Sequence, residues 1–595
     1  MAMPDTSRMF IRSAIFVAVL VSLGHILAWT SRREPAADIL VVNARVYTVN
    51  AKQPWAEAVA ITGDKISALG SARDLAAYRG PSTKVLDAGA RLVLPGFTDS
   101  HIHFLDGAIS LLQLQLDDAT TLPEVQRRIK VYAAAHPQDP WILGRGWSYP
   151  IFGAAAIPDK KYLDEVVRDR PVYLTGFDGH TWWANSKALD LAGITAKTPD
   201  PPGGAIVRDP ATGEPTGAIK EDAADALMQA VVPSPSREQK LKGLRLAMLE
   251  ANRAGLVRVH GAGSLRPTAV DDLDNVELFE KLRQSGELTV RMYFAYALGP
   301  PSLGDAQLRE IEDARRRYHD EWISAGAVKF YLDGVIETHT AAMLAPYADD
   351  PSQSGQLLWD PEKYQQAVQE LDKRGIQIFT HAIGDRAIRL ALDSYQHAQE
   401  SNHTSDARPR VEHIEDAAAT DISRFGRLGV IASFQPLHAY PDADTLTVWV
   451  RNVGPERSQR AWAWGSIARD GGHLAFGSDW PIVTLNPWAG VQNAVTRQTT
   501  EGSPPGGFVP GERISLEDTI KAYTLGAAFA GHREKSEGSL EPGKLADLIV
   551  LSQDLFKVAP SAISKTEVML TMVGGKIVYQ SRDWKGSTTA PPERH

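Results

Sequence analysis

The apolar residues near both ends of the chain follow the two-residue period of β-strands. Between residues 37 and 94 they form short runs that alternate with polar positions and are broken by turn residues such as Gly63-Asp64. Similar runs return near the C-terminus, where 568–579 contains a hairpin signal at Gly574-Gly575. Because two terminal β segments can share one sheet, we predict a small β-sandwich built from residues 37–94 and 536–582.

The long middle part of the chain, 95–535, alternates strand-length apolar runs with amphipathic helical patterns. Such runs occur at 375–381, 408–413 and 473–479, each next to a helical segment. Strands that alternate with helices form parallel sheets, and the number of units predicts an α/β fold with a (β/α)₈ TIM-type barrel. Residues from about 105 to 245 break this rhythm with Gly- and Pro-rich turns, so we predict an insertion there.

The first 36 residues have the features of an export segment. Two arginines precede an apolar stretch at 14–29, and two more follow it. The length of this stretch lies between that of a signal peptide and that of a membrane span, so both a cleaved signal peptide and a membrane anchor stay open, with a buried helix as a third alternative. We expect the protein to be exported or membrane-anchored, in the periplasm or another extracytoplasmic compartment, and to end in a tail at 583–595.

The composition excludes several classes of function. The chain has 595 residues, is 43% hydrophobic and carries a net charge of −9, without a basic run that could follow phosphates, so we expect no nucleic-acid partner. It contains no cysteine, which rules out disulfides, cysteine-ligated zinc and thiol nucleophiles. We therefore expect a large globular protein that acts on a small-molecule substrate; the oligomeric state is not predicted.

Histidines stand at the ends of several predicted strands, where a metal site in a barrel requires them. His101 and His103 are two residues apart after an apolar run, so both imidazoles point to one face of a strand. His381 and His413 end later runs about one βα unit apart, which places both at the same rim. Asp479 ends a further run and adds a carboxylate, although its position also suits a helix N-cap. As a set, these residues predict a metal site.

Lys329 is embedded in an apolar strand at 326–334. Lysine is rarely buried without a partner, and burial lowers the pKa of an amine and exposes its nucleophilic nitrogen. Such an amine can add CO₂ to give a carbamate, an anion that can bridge two cations. The alternative is a lysine whose stem lines the barrel wall and whose charged end reaches solvent.

These motifs, in this order, resemble the amidohydrolase superfamily, and more narrowly its amidohydrolase-3 branch of YtcJ-like metal-dependent hydrolases. The resemblance covers roughly residues 37–582 and implies a (β/α)₈ barrel with a β-sandwich made from both chain ends. The sequences that carry it are PGFTDSHIHF, FDGHTWWANSKAL, KFYLDGVIETHTAAMLAPY, FTHAIGDRAI, VEHIE, FGSDWP, GSLEPGKLADLIVLS and TMVGGKIVY.

The resemblance also implies how the metal is held. It implies two divalent ions, for which zinc is the best match, while Mn, Fe, Co or Ni would also fit. The first two histidines and the aspartate would bind one ion and the later two histidines the second, with a carboxylated lysine between them. The implied ligands are His101, His103, Lys329, His381, His413 and Asp479.

We expect a metal-dependent hydrolase that cleaves a non-peptide carbon–nitrogen bond of an amide-type substrate by a metal-activated hydroxide, with Asp479 as the catalytic base. The same centre could hydrolyse an ester, a lactone or a phosphoester, and a non-catalytic binding module is a further alternative. His260 is a candidate for the pocket floor. The candidates for substrate binding are His180, Trp182, Asn185, Asp333, Gln435, His438 and Trp480.

Overall fold

The computed structural model describes residues 36–584, except 156, 178, 202–203, 264–271 and 302, and also residues 588–589. The predicted leader therefore lies, apart from its last residue, outside the described residues. Within those residues, no helix is both long enough and apolar enough to cross a membrane.

Both ends of the chain build one β-sandwich, as the sequence predicted. Strands are numbered in chain order, and those of the sandwich are β1 (Ile39–Val42), β2 (Arg45–Tyr47), β3 (Trp55–Ala56), β4 (Ala58–Thr62), β5 (Lys65–Gly70), β6 (Lys84–Asp87), β7 (Leu92–Pro95), β22 (Leu548–Leu551), β23 (Val568–Val573), β24 (Lys576–Gln580) and β25 (Thr588–Thr589). One sheet has the order β25-β6-β1-β4-β5 and the other β24-β23-β22-β7-β2-β3. The chain ends meet where β7 pairs antiparallel with β22, with Val93 opposite Val550.

Eight parallel strands form the predicted barrel. From β8 to β21, neighbouring strands in the sheet are also consecutive barrel strands in the chain. They are β8 (Phe97–Ile102), β15 (Leu256–Gly261), β16 (Arg291–Ala297), β17 (Ile323–Tyr331), β18 (Gln377–Ala382), β19 (Arg410–His413), β20 (Ile431–Phe434) and β21 (His473–Phe476). The first and last strands meet just beyond their ends, where the Asp479 amide donates to the His101 carbonyl oxygen at 2.7 Å and the His103 amide donates to the Trp480 carbonyl oxygen at 2.9 Å. The (β/α)₈ prediction is therefore confirmed.

Helices cover the outside of the barrel and supply much of its core. They are α1 (Phe104–Ser110), α6 (Arg237–Ala254), α7 (Asp272–Gln284), α8 (Asp305–Arg317), α9 (Pro361–Lys373), α10 (Asp385–Asn402), α11 (Ala419–Leu428), α12 (Val450–Val453), α13 (Trp464–Arg469), α14 (Trp488–Thr496), α15 (Leu516–Tyr523) and α16 (Leu525–Ala530), with α2 to α5 in the insertion. Helix α6 begins at a capping box formed by Ser236 and Gln239 and ends at Gly255, whose φ of 90° suits glycine.

The insertion is a separate layered unit between β8 and α6. Its strands are β9 (Leu114–Gln115), β10 (Ile142–Trp147), β11 (Val172–Gly176), β12 (Thr181–Ala184), β13 (Ala205–Arg208) and β14 (Pro215–Lys220), and its helices are α2 (Leu122–Ala135), α3 (Lys160–Asp164), α4 (Ser186–Ala192) and α5 (Glu221–Gln229). Neighbouring side chains of a strand point to opposite faces, so Trp183 joins the core on one side of this sheet and Trp182 the core on the other.

Short helical turns complete the connections. Turns of 3-10 helix span Asp74–Tyr78, Tyr149–Ala155, Arg457–Arg460, Pro510–Glu512 and Pro560–Lys565, and a π-helix spans Asp444–Trp449.

Two buried ion pairs join the lower end of the barrel to the C-terminal segment. Arg258 of β15 forms a bidentate pair with Glu537 at 2.5 and 2.6 Å. Arg291 of β16 forms a second bidentate pair with Asp547 at 3.0 and 3.2 Å, and Asp547 also accepts the Gly574 amide. These pairs fix the β-sandwich against the barrel because each buried guanidinium depends on a carboxylate from the C-terminal segment.

Removing one partner of such a pair should destabilise the protein. We expect Asp547→Ala to lower the free energy of unfolding by about 3–5 kcal/mol, because Arg291 would be left as an uncompensated buried charge. Urea denaturation followed by tryptophan fluorescence measures the loss. The double variant Arg291→Met/Asp547→Leu serves as the control and should lose clearly less; an equal loss in both variants would contradict the electrostatic explanation.

Candidate metal centre

The C-terminal ends of the barrel strands bring all six predicted ligands together. Three lie within strands, one follows β8, one ends β19 and one follows β21, and none is more than 6% exposed. They are His101 (β8), His103 (after β8), Lys329 (β17), His381 (β18), His413 (end of β19) and Asp479 (after β21). Within the described residues, ligand atoms of His101, His413 and Asp479 lie within 4.8 Å of one another, close enough for one metal ion.

The first two histidines turn their Nε2 atoms towards the aspartate. His101 Nδ1 donates to Glu412 Oε2 at 2.5 Å, and His103 Nδ1 donates to the Gly263 carbonyl oxygen at 2.8 Å. In the neutral tautomer that these hydrogen bonds select, each Nε2 carries a lone pair, and these atoms lie 3.3 and 3.2 Å from Asp479 Oδ1. Three electron-pair donors that face one another are unfavourable in a buried site unless a cation lies between them. The residues therefore fit a divalent metal ion.

The later two histidines lie directly beside this group. The rings of His413 and His101 are 4.9 Å apart, and those of His413 and His381 are 4.5 Å apart. His381 Nε2 donates to the Gly334 carbonyl oxygen at 3.2 Å, which leaves Nδ1 as its ligand atom. Burial lowers the pKa of His381 and of His413 well below the usual value. Both rings are therefore neutral, as metal ligands must be.

Lys329 is fully buried and reaches this cluster. Its Nζ lies 3.3 Å from His101 Nε2 and 4.6 Å from the centre of the Tyr331 ring. Burial lowers the pKa of Lys329 to about 8, although Glu412 and Asp479 oppose this effect. The lysine is thus not one whose charged end reaches solvent, and part of its population is a neutral amine near pH 8.

The two oxygens of Asp479 face different partners. Oδ1 faces His101 and His103, whereas Oδ2 lies 3.4 Å from His438 Nε2 and 4.0 Å from His413 Nδ1. Oδ1 is therefore the oxygen directed towards a cation held by the two histidines, and Oδ2 is the oxygen left to accept a proton.

The backbone at two ligands has an unusual conformation. His413 has a φ of 74° and Asp479 a φ of 62°, both in the left-handed region that non-glycine residues seldom adopt. Each of these residues lies where a strand gives way to a loop, so the left-handed turn redirects a side chain that the strand alone would not aim at the site. Such strain is typical of functional sites.

Sequence reasoning missed the residues that hold the first histidine. Glu412 lies fully buried between His101 and Arg410, which forms a bidentate ion pair with it. Burial raises the pKa of Glu412, but Arg410 and His101 lower it further, so the carboxylate is ionised. The sequence did contain a signal for this ion pair. Arg410 and Glu412 are charged residues two positions apart on an apolar strand, so they share one face, as His101 and His103 do.

Among the predicted substrate residues, His180 and His438 lie at the mouth. His438 stacks on His413 with ring centres 5.5 Å apart. His180 Nδ1 lies 2.9 Å from Glu221 Oε2, and the Thr338 hydroxyl donates to the same carboxylate. Burial raises the pKa of Glu221, but His180 and Thr338 outweigh burial and the net pKa is lowered. The insertion therefore contacts the loop after β17 through a charged group that sequence reasoning missed.

Two other candidates are not brought to the site. Asn185 caps α4: its Oδ1 accepts the Val172 and Ala188 amides, and its Nδ2 donates to two backbone carbonyl oxygens. Trp182 is 2% exposed and packs in a core of the insertion. Asn185 therefore has a structural role in the insertion, and the ring of Trp182 belongs to the insertion's core.

The remaining candidates surround the ligands. Asp333 accepts the Ala342, Ile383 and Gly384 amides and so organises the loop beside His381. Trp480 packs over α1, edge-on to Phe104 at 6.0 Å. Two further candidates are fully buried: Gln435 directly after β20, and His260 inside the barrel with Nδ1 3.1 Å from Arg410 Nη1.

A (β/α)₈ barrel with a buried histidine–aspartate–lysine cluster at its mouth and a β-sandwich from both chain ends defines a hydrolase of the amidohydrolase type. The sequence model of the amidohydrolase family, amidohydrolase-3, matches residues 84–579. The chain belongs to this family.

Several known proteins and solved structures resemble the chain over most of its length. Protein LONG AFTER FAR-RED 3 of Arabidopsis thaliana is 32% identical over 96% of this chain and 98% of its own length. Putative amidohydrolase YtcJ of Bacillus subtilis is 30% identical (90% and 98%), and N-substituted formamide deformylase of Arthrobacter pascens is 27% identical (91% and 98%). The fold resembles that of an uncharacterised metal-dependent hydrolase from Pyrococcus horikoshii, with a TM-score of 0.68, 24% identity and coverage of 88% and 99%.

The hydrogen bond from His101 to Glu412 should strengthen metal binding. Glu412→Gln keeps the size of the side chain but removes the charge that fixes the His101 tautomer. We expect the affinity for zinc to fall about 10–100-fold, as for other residues that orient a metal-bound histidine. Competition with a chromophoric chelator measures this affinity.

Glu512→Gln provides the matched control, because Glu512 is a buried carboxylate that instead binds Ser466. It should leave zinc affinity unchanged. Equal zinc affinities for Glu412→Gln and the wild type would show that Glu412 does not orient the ligand.

Proposed function

We propose that this hydrolase is metal-dependent and cleaves a non-peptide carbon–nitrogen bond in a small amide. The observation that carries the proposal is the meeting of His101 Nε2, His103 Nε2 and Asp479 Oδ1 in a buried site, while the Nδ1 atom of each ring is already engaged by an acceptor. His381, His413 and Lys329 adjoin this group and complete a set large enough for two ions. The histidine-rich set with one carboxylate favours zinc.

The chemistry divides between the metal and the protein. A bound divalent cation lowers the pKa of water and polarises a carbonyl oxygen. Asp479 Oδ2 takes the proton of the attacking water and delivers it to the leaving nitrogen, so that water is added across the C–N bond to give an acid and an amine. His438 Nε2 lies 3.4 Å from this oxygen.

The proposed bond type is supported by one relative. The Arthrobacter protein, which this chain matches over 91% of its residues, is named for the deformylation of N-substituted formamides. A formamide is also the smallest substrate that contains both groups required by this chemistry, which are a carbonyl to polarise and a nitrogen to protonate. N-substituted formamides are therefore the first substrates to test.

Turnover of such amides tests the proposal. Zinc-loaded protein should hydrolyse N-substituted formamides, and Asp479→Asn should reduce kcat by roughly two to four orders of magnitude, because it removes the proton-transfer group. Release of formate and amine measures both. Asp421→Asn is the matched control: Asp421 is buried but pairs with Arg389 and Arg424 outside the site, and the variant should keep activity.

Ester and lactone probes belong in the same assay. Hydrolysis of these probes with no amide turned over would contradict the C–N assignment, and no turnover of any probe by protein with bound zinc would contradict the hydrolytic assignment of this site.

We also propose that Lys329 is carboxylated. Its complete burial, its contact with His101 and its depressed pKa provide a neutral amine within the ligand cluster, as addition of CO₂ requires. The carbamate would replace a cation that repels metal ions with an anion that attracts two of them.

Lys329→Ala should then remove at least one bound metal ion per chain and nearly abolish turnover. Elemental analysis measures the metal, and short carboxylic acids added to the variant should restore part of it by occupying the vacated space. Lys544→Ala, which removes a lysine bound to Glu534 and Ser539 away from the site, is the control. Full metal content in Lys329→Ala would contradict a bridging role.

A further inference from the structure

Gln435 is a buried polar side chain without a hydrogen-bond partner. It follows β20 directly and is 0% exposed. In the described part of the chain, neither its Nε2 nor its Oε1 has a partner for a hydrogen bond. A carboxamide can donate two hydrogen bonds and accept two. On folding, this side chain therefore gives up its hydrogen bonds to water without forming hydrogen bonds to the described protein. A buried polar group left in this state destabilises the folded protein.

The strand pattern places Gln435 on the interior face of the barrel. Ser433, two residues earlier, accepts a hydrogen bond from Arg410 inside the barrel, and residues two apart on a strand share a face. Pro436 lies on the other face, where a Cβ on Gly490 of α14 would be 3.5 Å from the Pro436 side chain. Gln435 therefore faces inwards.

The register of the sheet sets its height in the barrel. Ser433 is paired with Glu412, the residue that holds His101. Glu412 is in turn paired with His381, so Ser433 and His381 lie at one level of the barrel. Gln435 lies two residues beyond this level, on the side of the mouth from which a substrate reaches the candidate ligands.

We propose that Gln435 recognises the amide group of the substrate. Its Oε1 accepts the N–H of the substrate, and its Nε2 donates to a substrate oxygen. This inference rests on the proposed hydrolysis of a carbon–nitrogen bond and narrows the substrate class to primary and secondary amides. Esters and N-alkylated tertiary amides carry no N–H, and they would leave the buried Oε1 unsatisfied.

Matched secondary and tertiary amides test this recognition. N-cyclohexylformamide and N-cyclohexyl-N-methylformamide are compared on the zinc-loaded protein, by kcat/KM where they are cleaved and by calorimetric association constants where they are not. The wild type should prefer the secondary amide by about tenfold or more, the value of one lost hydrogen bond to a buried group. In Gln435→Met, which keeps length but cannot hydrogen-bond, this preference should fall to near one.

The thermal stability of the variants distinguishes substrate recognition by Gln435 from a purely structural role of this residue. Gln435→Met should not lower the thermal midpoint, because it replaces unsatisfied polar atoms with apolar ones. Gln492→Met is the matched control: Gln492 is equally buried but binds the Thr499 carbonyl oxygen and the Ser564 amide, so the variant should lose stability and keep the preference for the secondary amide.

The outcomes distinguish this inference from the proposed function. A wild type without preference, or a preference that survives in Gln435→Met, overturns the role of Gln435, whether or not the probes are cleaved. Absence of amide cleavage by the wild type contradicts the proposed function instead, while the ratio of association constants still decides the role of Gln435.

Discussion

The contact between the first and last strands of the barrel determines the geometry of the site. The amide of Asp479 donates to the carbonyl oxygen of His101, and Asp99 accepts hydrogen bonds from both the amide and the hydroxyl of Ser478. Gly477 permits this approach, since a Cβ there would lie 2.5 Å from the His101 amide nitrogen. The same hydrogen bonds that close the barrel therefore bring the candidate ligands His101 and Asp479 together from opposite edges of the sheet.

The interior of the barrel below the site carries charge instead of the usual branched apolar residues. Arg410 pairs with Glu412, contacts His260 and lies over the face of Phe379, 3.8 Å from the ring centre. This arrangement keeps Glu412 ionised without exposure to water, and the ionised carboxylate fixes the tautomer of His101. The network thus supports the first histidine of the metal centre, at the cost of burying charges that a purely structural barrel would avoid.

The barrel strands and the insertion contribute different parts of the site. All candidate metal ligands come from strand ends, which the sheet holds rigidly, whereas His180 comes from the insertion and reaches the mouth through Glu221 and Thr338. The insertion also approaches the loop after Asp479, where a Cβ on Gly179 would lie 3.0 Å from Ile482. Candidate metal ligands on the barrel and additional mouth residues on the insertion would allow the mouth to change without loss of the candidate metal centre.

The sequence by itself determined the features that depend on local spacing. The two-residue period identified the terminal β segments and indicated that His101 and His103 share a face. Strand-end positions singled out His381, His413 and Asp479, and its place inside an apolar strand singled out Lys329. Local spacing could not determine which polar groups would find partners. Asn185 was as plausible a substrate residue as Gln435. Its side chain caps α4 and makes four hydrogen bonds, whereas the side chain of Gln435 makes none in the described structure. Glu412 and the left-handed turns at His413 and Asp479 likewise acquire their roles only from residues far away in the chain. The physical reason is that hydrogen-bond satisfaction and side-chain direction at a strand end are set by barrel closure, which joins segments that no local pattern relates.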